Sequence, residues 1–258
     1  MTLLGRLLST PPLTALGLVG PLVDARPRAR ATAAAVPGAA GFRLVTNNGL
    51  FANRRVDAWA AAVLELDPGV LVVQEAAAPL VDALERAGVR DELPHAFVDP
   101  ERDRGGCVLY SRLPITGARL VAGEYGGLTA TVEVGGQAVT IVGAHPKAPV
   151  APWDEPAWRT AFAEVAAVVD AAPGPVACAG DWNATIWHEP LRELLDHDLV
   201  DAHVAAGRAG ARTWPAQLPV ALLDRVLVRG LAVRSIAEAL VPGSDHRAVV
   251  ADLAIMDA

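Results

Sequence analysis

The stretch from Cys178 to Thr185, CAGDWNAT, closes an apolar run with a carboxylate at Asp181 and a carboxamide at Asn183. Two residues apart in an extended chain, these side chains point to the same side. Turn chemistry after Gly180 would also account for both residue types. The same punctuation recurs along the chain. Asn48 ends the run that starts at Phe42, Glu75 ends GVLVVQE, and His145 ends QAVTIVGAH. Asp224 opens a late apolar run, and Asp245-His246 precedes the last one. Each is explicable alone as a cap or loop residue. Polar groups repeated at strand ends are what a shared site requires, because sheets collect ligands at their loop-bearing ends.

The residue types narrow the chemistry. Asn48, Glu75, Asp181, Asn183 and Asp245 offer hard oxygen ligands, suited to Mg²⁺ or Mn²⁺ and not to a thiolate site. Zinc is the weaker fit, since only His145 and His246 among the candidates are imidazoles. A hard cation, an imidazole and amide donors are the parts needed to move water onto a phosphorus centre.

Regular elements must position these groups. After Gly41 the pattern predicts a strand at FRLVTNN, then a helix with Val56, Trp59, Ala60 and Val63 on one face. GVLVVQE reads as a buried strand, followed by a helix through Leu80, Leu84 and Ala87 that stops at Gly88. GCVLYS is a third strand, and TATVEV with QAVTIVGAH forms a hairpin around Gly135-Gly136. Trp158, Phe162, Val165 and Val169 mark a helix before PVACAG, and LLDRVLV and RAVVADLAI supply late strands. Many strands with few helices between them predict stacked sheets covered by helices, in one domain.

Composition bounds the partners. The 258 residues carry 52% hydrophobic side chains and a net charge of −7, and Lys147 is the only lysine. A disordered chain is excluded, and the electrostatic footprint of a protein that coats nucleic acid is missing. Cys107 and Cys178 sit in apolar runs and read as small buried hydrophobes. Residues 1–40 read as a non-catalytic leader, with an apolar run from Leu7 to Val23 between Arg6 and the arginines 26, 28 and 30. Prolines 11, 12 and 21 interrupt it, and arginines after it disfavour translocation of that side. Membrane association or export is favoured over a cytoplasmic location, and a monomer is expected.

Together TNN, VVQE, GCVLYSRLPI, GAHP, GDWNAT, LLDRVLV and GSDHRAVVADL resemble, in order, the endonuclease/exonuclease/phosphatase superfamily of metal-dependent phosphoesterases similar to DNase I. The resemblance runs from Phe42 to Leu253. It implies an α+β fold, a four-layer α/β/β/α sandwich of two packed, mainly antiparallel sheets flanked by helices. It implies that Glu75 is the principal metal ligand with Asn48 beside it, and that Asp245 touches a metal. His246 resembles the catalytic histidine, Asp224 its orienter, and Asp181 the aspartate that positions or deprotonates the attacking water. Asn183 and His145 match groups that hold the scissile phosphate. The implied cofactor is Mg²⁺ or Mn²⁺, and the partner a phosphate ester of a small molecule, a lipid headgroup or a nucleic acid.

Two positions depart from the pattern. Asn47 stands where the family often has an aromatic, which would alter the metal's surroundings. Arg225 stands where it often has Tyr or His, which would change substrate contacts. The run AHPKAP, WDEPAWR and TWP resembles bacterial, often membrane-tethered members. A serine hydrolase is excluded, because consecutive Ser244, Asp245 and His246 cannot converge and no G-x-S-x-G elbow exists. A non-catalytic phosphate- or nucleic-acid-binding module on the same fold and a nuclease specific for DNA are the alternatives. Metal-dependent turnover separates the module from an enzyme, and a panel of phosphate esters separates the nuclease.

Overall fold

The computed structural model describes residues 38–98, 106–121 and 127–256. Most of the expected leader, residues 1–37, lies outside them. The first sheet grows from a β–α–β unit: β1 (Gly41–Asn48), α1 (Val56–Leu64) and β2 (Val70–Gln74), with β1 and β2 parallel. Two short helices follow, α2 (Ala78–Arg86) and α3 (Val89–Glu92), then β3 (His95–Val98) and β4 (Val108–Ser111). The second sheet starts with β5 (Ile115–Val121), β6 (Gly127–Val134) and β7 (Gln137–Ala144). A second parallel unit links β7 through α4 (Glu155–Ala171) to β8 (Val176–Asp181). After α5 (Glu189–Leu195), β9 (Val200–Asp201) and α6 (Ala202–Ala205), the chain runs β10 (Asp224–Arg229), β11 (Leu231–Ala239) and β12 (Ala248–Ile255).

The sheet orders are β11-β12-β1-β2-β4-β3 and β5-β6-β7-β8-β10-β9. Each holds one parallel pair at its centre and antiparallel neighbours elsewhere. This is the DNase I-like α+β sandwich. The strand β12 returns to the first sheet and lies between β11 and β1, with Thr46 opposite Val249.

Alternation explains why the central strands read as unbroken apolar runs. Leu44, Val70, Val72, Ile141, Ala177 and Ala179 face the layer between the sheets. Val45, Leu71 and Val73 face Trp59 and Val63 of α1 and Leu80 and Leu84 of α2. On the other side Val142, Val176 and Cys178 face Trp158, Phe162, Val165 and Val169 of α4. Helix spacing on α4, at i, i+4, i+7 and i+11, thus covers one outer face. Both cysteines are buried, as expected, and burial pushes the Cys178 thiol up to about 12.

Turns behave as their residues dictate. Gly135 and Gly136, at φ 56° and 82°, close the β6–β7 hairpin, the two left-handed positions of a type I′ turn. Gly88, at φ 83°, follows α2. At Gly143 a Cβ would come within 2.7 Å of Cys107 Sγ and 2.9 Å of Val72 Cγ1, so glycine sets the close approach of the two sheets there.

Candidate active site

The carboxyl ends of the two parallel pairs meet at one end of the sandwich. Asn48 is the last residue of β1, Glu75 follows β2, His145 follows β7, and Asp181 ends β8. A single amide joins the two sheets: Asn48 Nδ2 donates to Glu75 Oε1 and to Asp181 Oδ2, each at 3.0 Å. His145 Nε2 lies 3.9 Å from Glu75 Oε1 and 3.8 Å from Asp181 Oδ2. The second imidazole enters from the loop before β12. His246 Nδ1 lies 2.9 Å from Asp224 Oδ2 at the start of β10, and its Nε2 lies 3.7 Å from Asp181 Oδ2.

Backbone shape serves these positions. Leu50, Glu75 and Asn183 have φ of 61°, 51° and 45°, a region that typically costs non-glycine residues about 1–3 kcal/mol and clusters at functional sites. Glu75 accepts from the Phe51 N–H at 2.9 Å, and Asn48 Oδ1 accepts from the Leu50 N–H at 3.0 Å. Gly180 allows β7 and β8 to close up before Asp181. With φ at 155°, a Cβ there would fall 1.9 Å from the Ala144 carbonyl oxygen.

Asn183 stands differently from the extended-chain expectation. Strand β8 ends at Asp181, and the Asn183 N–H donates back to Asp181 Oδ1 at 2.9 Å. That is an Asx turn, so the two side chains do not repeat along a strand. Asn183 Nδ2 donates to the Pro146 carbonyl at 3.0 Å and ties the turn to the loop of His145. Asp245 sits at the rim, its Oδ2 3.4 Å from Trp214 Nε1.

Charge states follow from this geometry. Burial alone would raise the Asp181 carboxyl, but the facing imidazoles of His246 and His145, with bonds from Asn183 and Asn48, hold it below the usual range. Burial alone would lower His246, yet the Asp224 and Asp181 carboxylates push it up to about 10. At neutral pH the site therefore pairs an imidazolium with an ionised Asp181.

Both sequence departures turn inward. Asn47 is buried, accepts from the Trp59 indole N–H at 2.8 Å and donates to the His246 carbonyl at 3.4 Å. It thus joins α1 to the histidine's loop. Arg225 is buried and paired with Asp201, so the expected change in substrate contacts does not arise. Burial alone would raise the Asp201 carboxyl, but the Arg225 guanidinium holds it at about 2.

Two hydroxyls were not foreseen as site residues. Ser244 Oγ donates to the Asn48 carbonyl at 2.6 Å and accepts from the His246 N–H at 2.9 Å. Thr213 Oγ1 accepts from the N–H groups of Leu223 and Asp224 at 3.1 and 3.2 Å. Both bond to backbone atoms, and only their place beside Asp245 and Trp214 signalled them.

Solved structures share this fold. TDP2 of D. rerio, in complex with a single-strand DNA product, aligns with a TM-score of 0.70 at 16% identity over 83% of this chain and 98% of that one. An endonuclease/exonuclease/phosphatase protein of Beutenbergia cavernae aligns with a TM-score of 0.63 at 19% identity, over 84% and 72%. Sphingomyelinase C of Streptomyces griseocarneus aligns with a TM-score of 0.59 at 20% identity, over 82% and 99%. A comparison with curated proteins gave no match. Residues 40–246 match the profile of the Endonuclease/Exonuclease/phosphatase family, a span that takes in every strand but β12 and ends on His246, and the chain belongs to that family.

Proposed function

We propose that this chain is a divalent-cation-dependent hydrolase of phosphate esters. The observation that carries the reading is the buried His246–Asp224 pair, at 2.9 Å, facing Asp181 where the two parallel pairs meet. A binding module has no need of an imidazole fixed by one carboxylate and aimed at another.

The donor chemistry fits a hard cation. Glu75 Oε1 and Asp181 Oδ2 both converge on Asn48 Nδ2, so two anionic oxygens already share one small space. Glu75 and Asn48 would hold Mg²⁺ or Mn²⁺, with Asp245 at the rim. Asn48 now presents nitrogen to the carboxylates, and ligation through Oδ1 requires its amide to turn over and release the Leu50 N–H. A bound cation would supply Lewis-acid polarisation of a phosphoryl oxygen.

The protein's own groups divide the remaining work. Asp181, kept ionised, orients a water and takes its proton as the water oxygen bonds to phosphorus and the ester P–O bond breaks, the departing oxygen taking a proton from solvent to leave as the alcohol. His246, kept protonated by Asp224, donates to a non-bridging oxygen where negative charge gathers. Asn183 and His145 steady the phosphoryl group from the adjoining loops.

The single-strand DNA product bound by D. rerio TDP2 and the lipid in the name of sphingomyelinase C frame the choice for this chain. The test is a panel with Mg²⁺ or Mn²⁺ against EDTA: bis-nitrophenyl phosphate, nitrophenyl phosphate, plasmid DNA, phosphoinositides and sphingomyelin. Cation-dependent turnover of at least one is expected. No turnover of any by a folded protein sinks the reading.

A further inference from the structure

Among the described residues, the large hydrophobic side chains left exposed gather at the end of the sandwich that bears the site. Phe51 follows β1. Val150 and Trp153 lie in the loop after His145, and Trp153 is 81% exposed. Trp187 sits in the turn after β8, and Leu218, 78% exposed, shares the 214–221 loop with Val220. Leu240 follows Ala239, which pairs with Ala248 just beyond His246. Leu120, on the edge strand β5, lies one residue from the end of β5 that points the same way. The opposite end carries the Gly135-Gly136 turn and the Arg112–Asp67 ion pair instead.

These side chains are held out by the site's own framework. The Phe51 N–H is bonded to Glu75. Trp153 is flanked by buried Asp154, whose carboxylate accepts from the Ala151 N–H at 3.1 Å and pairs with Lys147 Nζ at 3.1 Å. Arg192 holds the carbonyls of Ile186 and Trp187. The 214–221 loop is fastened by Ala216 N–H to the Asp245 carbonyl at 2.7 Å and by Arg247 Nε to the Ala216 carbonyl at 2.8 Å. Apolar groups fixed in water around a site mark a surface that meets another phase or partner.

Their chemistry selects the partner. Single-stranded nucleic acid wants aromatic platforms in a basic groove, whereas Val150, Leu218, Val220 and Leu240 are aliphatic and the chain's net charge is −7. Tryptophans interspersed with leucine and valine are the composition of a membrane–water boundary. Exposed Arg54 and Arg55 follow Phe51 closely in sequence, suited to lipid phosphates. The apolar run from Leu7 to Val23 supplies a second apolar element in sequence, and stable surface attachment takes two. We infer that the site end of the sandwich docks onto a lipid–water interface and takes the phosphoester of a lipid headgroup presented there. The substrate half of this inference rests on the hydrolase reading above. Docking itself does not.

The test uses the full chain in EDTA, where no turnover complicates binding, with vesicles of phosphatidylcholine. Wild type should co-sediment, and brominated acyl chains should quench its tryptophan fluorescence. The triple variant W153S/L218S/V220S, changed only at exposed positions, should partition at least about ten-fold more weakly. Failure of wild type to bind overturns the inference. So does equal binding by the variant, which would give the attachment to residues 7–23 alone. Loss of a dimer in the variant, with vesicle binding unchanged, makes the rim a protein contact and also overturns it. Cation-dependent hydrolysis of soluble bis-nitrophenyl phosphate is scored separately. Vesicle binding without it removes the hydrolase reading and leaves docking standing, whereas hydrolysis without vesicle binding does the reverse.

Discussion

The two sheets are built alike and equipped differently. Each centres on a parallel pair joined by a helical crossover, β1–α1–β2 in one and β7–α4–β8 in the other. The carboxyl ends of the first pair present Asn48 and Glu75, groups suited to a cation. Those of the second present His145 and Asp181, and its neighbour β10 adds Asp224. On the proposed reading, one sheet would hold the cation and the other the groups that hold and move protons. His246 crosses the division, since its loop leads into the first sheet while Asp224 in the second fixes its ring. Doubling a scaffold and dividing its chemistry puts opposing functions face to face without crowding one strand.

Variants on the two sides should separate this division. His246→Ala should lower kcat/KM by about 10²–10³-fold, the usual worth of one donor aimed at developing charge, with Mg²⁺ affinity retained. Glu75→Gln should lower activity and also weaken Mg²⁺ binding, because an anionic ligand becomes neutral. Calorimetric titration of both variants decides. Equal loss of cation affinity in the two would erase the distinction between the sheets.

Asp224→Asn should cost nearly as much as His246→Ala, and the double variant should be scarcely worse than either, since groups acting as a unit are not additive. Multiplying losses would place Asp224 elsewhere in the mechanism. The pH profile of Asp224→Asn sharpens the point. Without that carboxylate the imidazolium loses its proton more readily, so the alkaline limb of kcat/KM should move to lower pH.

Stability should report the same pair. His246 has a folded value of about 10, above its ordinary 6.5. Its contribution is therefore fully present below about pH 6.5 and is lost as pH rises through about 10. In EDTA, the wild-type melting temperature should fall over that window and that of His246→Asn should fall less. Parallel curves for the two would show that the imidazolium is not held by its carboxylates.

The smallest effect lies in the first sheet's support. Asn47→Ala leaves the buried Trp59 indole N–H without its acceptor, which should cost about 1–3 kcal/mol in urea unfolding. A loss under about 0.5 kcal/mol would mean that the link from α1 to the histidine's loop is dispensable.

The elements carrying the site were legible because the central strands, buried on both faces, print as apolar runs that stop at one polar residue. Asn48, Glu75, His145 and Asp181 all stand out for that reason. Edge strands print nothing comparable. The strand β5 carries Thr116, Gly117 and Arg119, β9 is two residues long, and β11 mixes Arg234, Ser235 and Glu238 with a register shift after Val233. Arg225 was misread because its place beside Asp224 says nothing about which way a strand residue faces. Asn183 was misread because extended spacing was carried one turn too far. Ser244 and Thr213 stayed hidden because their partners are main-chain atoms, which no pattern of side chains records.

The placement of β12 bears on how the molecule comes into being. The first residues of the fold, in β1, find their antiparallel neighbour only in residues 248–255, roughly two hundred positions later. While the chain is being synthesised, β1 and β2 can pair, but one flank of β1 stays open until that strand emerges. His246 emerges just ahead of β12, and with it the last of the charges that the site must enclose. Contacts this distant are slow to form because long loops must close first. A nascent chain therefore passes through most of its synthesis with β1 and β2 made and His246 not yet opposite Asp181. The proposed site is complete only when β12 closes the first sheet.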